Sequence, residues 1–145
     1  MSKIIPILAS VSFILTTLIC CQQPKEKVSS RYPNGGSELA WLMRDATDQM
    51  EAQRNAILKG QSFQSIFLNA DHILTAIPTE EGKTASKDYQ QKADQFLKHI
   101  AQQKDIPLEG QMNYFNSTVS LCVNCHETQC PGPNVRIKKL YIDKI

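Results

Sequence analysis

Gln111-Met112-Asn113-Tyr114-Phe115-Asn116-Ser117-Thr118-Val119-Ser120-Leu121-Cys122-Val123-Asn124-Cys125-His126 is the stretch whose periodicity sets the fold class. Met112, Phe115, Val119, Cys122 and His126 recur at steps of three and four, the spacing of one face of an α-helix. Ile106-Pro107 precedes the stretch and separates it from a similar pattern upstream. There, Ser86 is placed to cap a segment with Tyr89, Ala93, Phe96, Leu97 and Ile100 on one stripe. Further back, a segment from Ser62 carries Phe63, Ile66, Phe67, Ala70, Ile73, Leu74 and Ile77 before Pro78 stops it. The first segment begins at Ser37, after Gly35-Gly36, with Leu39, Leu42, Met43, Ala46, Met50 and Ile57 on its apolar face and Gly60 as its stop. No stretch alternates with period two. Four helices joined by short loops predict an all-α fold, an antiparallel up-down-up-down four-helix bundle.

A chain of 145 residues and 16.3 kDa has room for one such domain and excludes a large two-domain enzyme. The formal net charge of +2 gives no electrostatic case for nucleic acid. No Ser-His-Asp set, Gly-rich phosphate loop or paired carboxylates stand out. Asp45, Asp48 and Glu51 read as the wet face of the first helix, so the expectation is a carrier or binding protein, not an enzyme.

The five cysteines carry the rest of the reading. Cys122-Val123-Asn124-Cys125-His126 is a C-x-x-C-H motif, the attachment sequence of c-type haem. On a helix the three side chains sit at i, i+3 and i+4 and leave from one face. Two thiols there can form thioethers to the haem vinyl groups, with the imidazole as proximal iron ligand. A thioredoxin-like thiol pair also uses C-x-x-C, but it wants a strand before the motif and a helix starting at the first Cys. Zinc has only Cys122, Cys125, His126 and Cys130 near one another, with no second spaced pair.

The N-terminal twenty residues lie outside the domain. Lys3 precedes an apolar run from Ile4 to Cys20, which reads as an export signal. Leu18-Ile19-Cys20-Cys21 resembles a bacterial lipoprotein cleavage site with Cys21 as the acylated residue, although Cys20 stands where a small residue is usual. An uncleaved anchor helix is the alternative, since roughly 17 apolar residues just span a bilayer. Either way the domain faces the periplasmic side of the cell envelope, held at a membrane. Residues 21–36 read as a flexible tether whose Lys25, Lys27 and Arg31 are solvated. Residues 37–128 form the helical domain, and 129–145 a C-terminal extension.

Four helical segments with C-x-x-C-H near the end of the last resemble the class II c-type cytochromes, the cytochrome c-prime group, over Ser37 to His126. The resemblance implies one covalent haem c near the C-terminal end of the fourth helix. It also implies a sixth iron position that is either open, giving a gas-binding haem, or filled by a Met of the first helix, giving an electron carrier. Met43 is the candidate distal ligand. Met50 shares its stripe about 10 Å deeper, and Met112 lies roughly 21 Å along the helix from His126. His72 and His99 fall off their apolar faces. The Arg that family members carry one turn before the distal residue is replaced by Leu39, with Arg44 following Met43 instead, so propionate contacts are unassigned. The expected function is electron transfer by a mono-haem cytochrome with redox proteins as partners and a homodimer by analogy; the alternative is a five-coordinate haem protein binding NO or CO.

The extension has no counterpart in that family. Pro131 stops the last helix, and a buried thiol is expected for Cys130, with an intermolecular disulfide or a redox role as the alternative. Ile137, Leu140 and Ile142 are expected to pack back on the bundle, with a basic docking patch of Arg136, Lys138 and Lys139 as the alternative. Trp41 reads as structural, at a helix boundary or a dimer contact.

Overall fold

The computed structural model describes residues 35–62, 67 and 69–143. The expected signal, Cys21 and most of the tether lie outside them. Among the described residues the chain is all-helical, without strands. Helix α1 spans Glu38–Leu58, α2 Lys87–Ile100, α3 Gln111–Gln129 and the short α4 Asn134–Ile137, with 3-10 turns between them.

The caps explain the boundaries. Ser37 Oγ accepts the Ala40 amide at 3.2 Å and Ser86 Oγ the Tyr89 amide at 3.3 Å, each satisfying a donor the first helical turn leaves orphaned. At the far end of α1 the chain turns through Gly60, whose φ of +68° suits a residue without Cβ.

The second predicted helix is not formed as one, which corrects the expectation over 62–77. Phe67 and Asn69 both adopt positive φ, 70° and 67°, which no α-helix accommodates. The Phe67 amide donates to Gln49 Oε1 of α1 at 2.8 Å rather than into a helical ladder. Ser, Asn and Asp at 62, 69 and 71 offer the backbone local alternatives to helix. Among the described residues of the segment, a 3-10 turn at Ala70–Leu74 is the only helical element. The apolar stripe holds in part: Ile73 and Ala76 are buried, whereas Ile77 is 56% exposed. Residue 77 instead ties the return segment to α1, its carbonyl accepting the Leu39 amide at 3.0 Å and its amide donating to Glu38 Oε2 at 3.1 Å.

Two apolar clusters hold the helices. One joins Leu39 of α1 to Ile73, Ala76, Tyr89 and Ala93, with Leu42, Met43, Phe96 and Leu97 packed against it. The other joins Met50 to Phe115, Val119 and Val123 of α3 and to Ile137, Leu140 and Ile142 of the extension. The extension therefore completes a core, as its apolar residues suggested. Arg136 is not a free docking cation. It pairs with Asp48 at 2.9 Å and Glu51 at 2.7 Å, fastening the extension to α1.

These contacts fix the helix directions. Tyr114 at the start of α3 donates to the His99 carbonyl at the end of α2, while Thr128 and Gln129 meet Asp88 at its start, so α2 and α3 are antiparallel. The start of α1 packs on Tyr89 and its second half, Met50 and Ile57, shares a core with Met112 and Phe115. Thus α1 is also antiparallel to α3. The expected up-and-down course survives for the three long helices; of the expected second helix, the described residues hold a 3-10 turn at Ala70–Leu74.

Candidate functional site

Helix α3 carries Cys122, Cys125 and His126 in its last two turns, as the i, i+3, i+4 spacing requires. Cys122 packs against the cluster of Met50, Phe115, Val119 and Val123. Cys125 lies on the side facing the start of α2, beside Tyr89 and Lys92. Neither forms a disulfide among the described residues.

The thiols are poor nucleophile candidates in this setting. Burial, and secondarily the neighbouring Cys125, pushes the Cys122 thiol up to about 12. Cys125 is raised as well, chiefly by burial, against the opposing pull of Lys92. A redox-exchange pair needs a depressed pKa, because the thiolate attacks.

His126 has a defined tautomer. Its Nδ1 lies 3.0 Å from the Cys130 carbonyl oxygen, which can only accept, so Nδ1 carries the proton and Nε2 keeps its lone pair. The backbone of Cys130 completes the arrangement by donating its amide to the His126 carbonyl at 3.0 Å. Pro131 explains why. A residue before proline is steered away from α geometry, and Cys130 ends the helix at φ −164°, ψ 81°, which turns its carbonyl toward the ring. Burial holds the His126 pKa below its usual value, opposed by the Cys130 hydrogen bond, with Lys83 lowering it further. The imidazole is thus neutral at neutral pH, the form that binds metal. Cys130 itself is exposed, which corrects the expected buried thiol.

A polar clamp ties the motif's end of α3 to the start of α2. Lys92 bridges Asp88 and Thr128, Gln129 reaches Asp88, and Lys83 Nζ caps the Gln129 carbonyl at 2.7 Å. Lys92 beside it holds the Asp88 carboxyl below the usual range.

Met43 and Cys122 sit in different clusters, and Tyr89 is the residue common to the surroundings of Met43 and Cys125. Met43 packs against the cluster at the start of α1 that holds Tyr89, and Met50 belongs to the other core with Val119. Met112 packs on the core at the opposite end of α3. His72 is exposed on the return segment. His99 stacks on Tyr114 at 4.3 Å and donates Nε2–H to Thr118 Oγ1 at 2.9 Å, since that hydroxyl already donates to the Tyr114 carbonyl. Arg44 is occupied near its own helix start, donating to the Gly35 carbonyl at 2.7 Å and lying over the Trp41 ring.

Among the described residues no three His, Cys, Asp or Glu side chains converge to hold a bare metal ion. An iron already held by a porphyrin asks the chain for only one or two axial donors. No protein-family model, curated protein or solved structure matches this chain. Sequence reasoning missed the Cys130 carbonyl, for which the Cys130-Pro131 dipeptide was the available signal.

Proposed function

We propose that this chain is a mono-haem c-type cytochrome carrying electrons in the cell envelope, in a helical bundle with the haem near the C-terminal end of α3. One observation carries the reading: the His126 Nδ1–H is held by the Cys130 carbonyl, leaving Nε2 as a neutral, oriented donor. Metal-bound histidines are oriented in this way, and the hydrogen bond raises their basicity as ligands. Cys122 and Cys125 are the thioether residues; burial raises both thiols, which disfavours the thiolate that exchange or zinc binding would need. Covalently bound haem supplies a one-electron iron couple, and an axial Met raises its potential relative to two nitrogen ligands.

The work of the protein is then to hold and shelter. His126 would be the residue that holds the iron, the α2–α3 polar clamp fixes the end of α3 that bears it, and Met43 would be the candidate for a second donor. Electron transfer needs no general acid or base, in keeping with a non-enzymatic role. The partners are redox proteins, and acylated Cys21 tethers the domain to a membrane on the periplasmic side, with a homodimer as the assembly to look for.

A second reading is a five-coordinate haem binding NO or CO. The apolar company of Met43 favours it, because Leu39, Ile73, Ala76 and Ala93 would make a crowded open face. Ferrous spectra with and without CO separate the two. Electron transfer requires sharp low-spin bands that CO barely alters and that disappear in Met43→Ala. A broad high-spin spectrum that shifts strongly with CO removes Met43 from the iron and selects the gas-binding reading.

A further inference from the structure

Gln129 is the last residue of α3, so its carbonyl is one of those that a helix leaves without an intrahelical donor. Lys83 supplies the donor from elsewhere in the chain. Its Nζ donates to that carbonyl at 2.7 Å, placing a cation at the helix end that favours one. The Lys83 side chain is only 20% exposed, while its ion-pair partner Glu80, at 2.7 Å, is 73% exposed. The lysine is thus turned in toward α3, and its carboxylate partner stays in water. The backbone of Lys83 is constrained as well. Gly82 precedes it at φ +76°, and the 3-10 turn Lys83–Ala85 runs directly into Ser86, the N-cap of α2. Gln90 of α2 donates to the Thr84 carbonyl of the same turn. The ammonium therefore reaches α3 from a turn anchored on α2.

What the contact holds is the peptide between Gln129 and Cys130. The carbonyl of that peptide accepts from Lys83, and its N–H donates to the His126 carbonyl at 3.0 Å. A peptide unit is planar, so tying both of its polar groups fixes its orientation. One Cα further along stands the Cys130 carbonyl that accepts the His126 Nδ1–H. With the first peptide fixed, only the φ and ψ of Cys130 separate it from that acceptor, and Pro131 already restricts both. We propose that Lys83 is a positioning residue for the iron ligand: by capping the Gln129 carbonyl it holds the Cys130 carbonyl against His126 Nδ1. The donor strength of Nε2 then depends on a turn that precedes α2. This inference rests on the cytochrome reading, with His126 bound to iron. Loss of the cap loosens the Nδ1–H hydrogen bond, makes the imidazole a weaker donor to ferric iron, and raises the potential.

Deleting Lys83 alone would leave the Glu80 charge unpaired and lower the potential through space. The test therefore removes the ion pair as a unit, without a change in net charge. The full chain with its haem attached is compared with Lys83→Met/Glu80→Gln, Glu80→Gln and Lys83→Arg. Voltammetry reads the potential, and proton NMR of the ferric protein reads deuterium exchange at the His126 Nδ1–H. The double variant is expected to exchange roughly tenfold faster, the factor that one net hydrogen bond is worth, and to have a higher potential. Glu80→Gln keeps the wild-type exchange rate. Lys83→Arg, which retains a cationic donor, keeps both wild-type values. An unchanged exchange rate in the double variant, a potential that stays the same or falls, or the same acceleration in Glu80→Gln overturns the role of Lys83 while the haem remains bound. A wild-type chain without covalent haem, seen in its absorption spectrum, instead overturns the cytochrome reading and this proposal with it.

Discussion

Because Cys130 precedes a proline, its carbonyl leaves the helix ladder and receives the His126 Nδ1–H at 3.0 Å. Only the backbone of Cys130 is needed for this, which separates two substitutions that sequence alone would group together. Cys130→Ala keeps the carbonyl and leaves the reduction potential of the haem protein unchanged. Pro131→Ala frees the carbonyl to rejoin the helix, weakens the donor character of His126, stabilises the ferric iron less, and raises the potential. Equal potentials in the two variants on voltammetry would show that the hydrogen bond does not tune the ligand. His99 gives a second residue-scale expectation. Burial holds its pKa below the usual value of about 6.5, outweighing a hydrogen bond to Tyr114. As pH falls through that value the unfolded chain takes a proton on His99 before the native state does, so stability present at higher pH is lost until the native pKa is reached. Urea midpoints at about pH 7.5 and about pH 5 should therefore differ less in His99→Gln than in the wild type; an unchanged difference would place the pH dependence elsewhere. The C-x-x-C-H motif was legible because its chemistry is local in sequence. The pairing of Arg136 with Asp48 and Glu51 was not, because the partners lie far apart in the chain.

At the scale of elements, three of the four predicted helices appear, the first and third with the Ser caps read for them, and the second fails for a stated reason. Ser37, Gly60 and Ser86 are local signals acting on the residues beside them, so they read correctly. The segment after Ser62 has equally good apolar spacing, but its backbone bonds to Gln49 of another helix and turns through Phe67 and Asn69 at positive φ. A tertiary partner overrode the period, and Ser62, Asn69 and Asp71 are the residues within the segment that weaken helix. Gly60 offers a clean check. Its φ is +68° and no atom lies within 4 Å of where a Cβ would sit, so Gly60→Ala meets no clash and its cost is purely conformational. The expected loss is ~1–2 kcal/mol in urea unfolding. A neutral result would mean that the end of α1 relaxes without penalty.

For the whole molecule, the extension is part of the fold and not an appendage. Ile137, Leu140 and Ile142 are each at most 5% exposed within one cluster with Met50 and α3. Ile137→Ala should cost ~2–5 kcal/mol, whereas Val135→Ala, at a side chain 73% exposed, should stay within about 0.5 kcal/mol. Similar small effects from both would detach the extension from the core. The central claim concerns the same core, since Cys122 packs against it. The most direct measurement is haem retention after full denaturation. The full chain is expressed in cells able to attach haem c, then unfolded and run on a denaturing gel stained for haem. The account predicts stain comigrating with the wild-type chain and none with the Cys122→Ser/Cys125→Ser double variant. An unstained wild-type chain with both thiols still free for alkylation would contradict it.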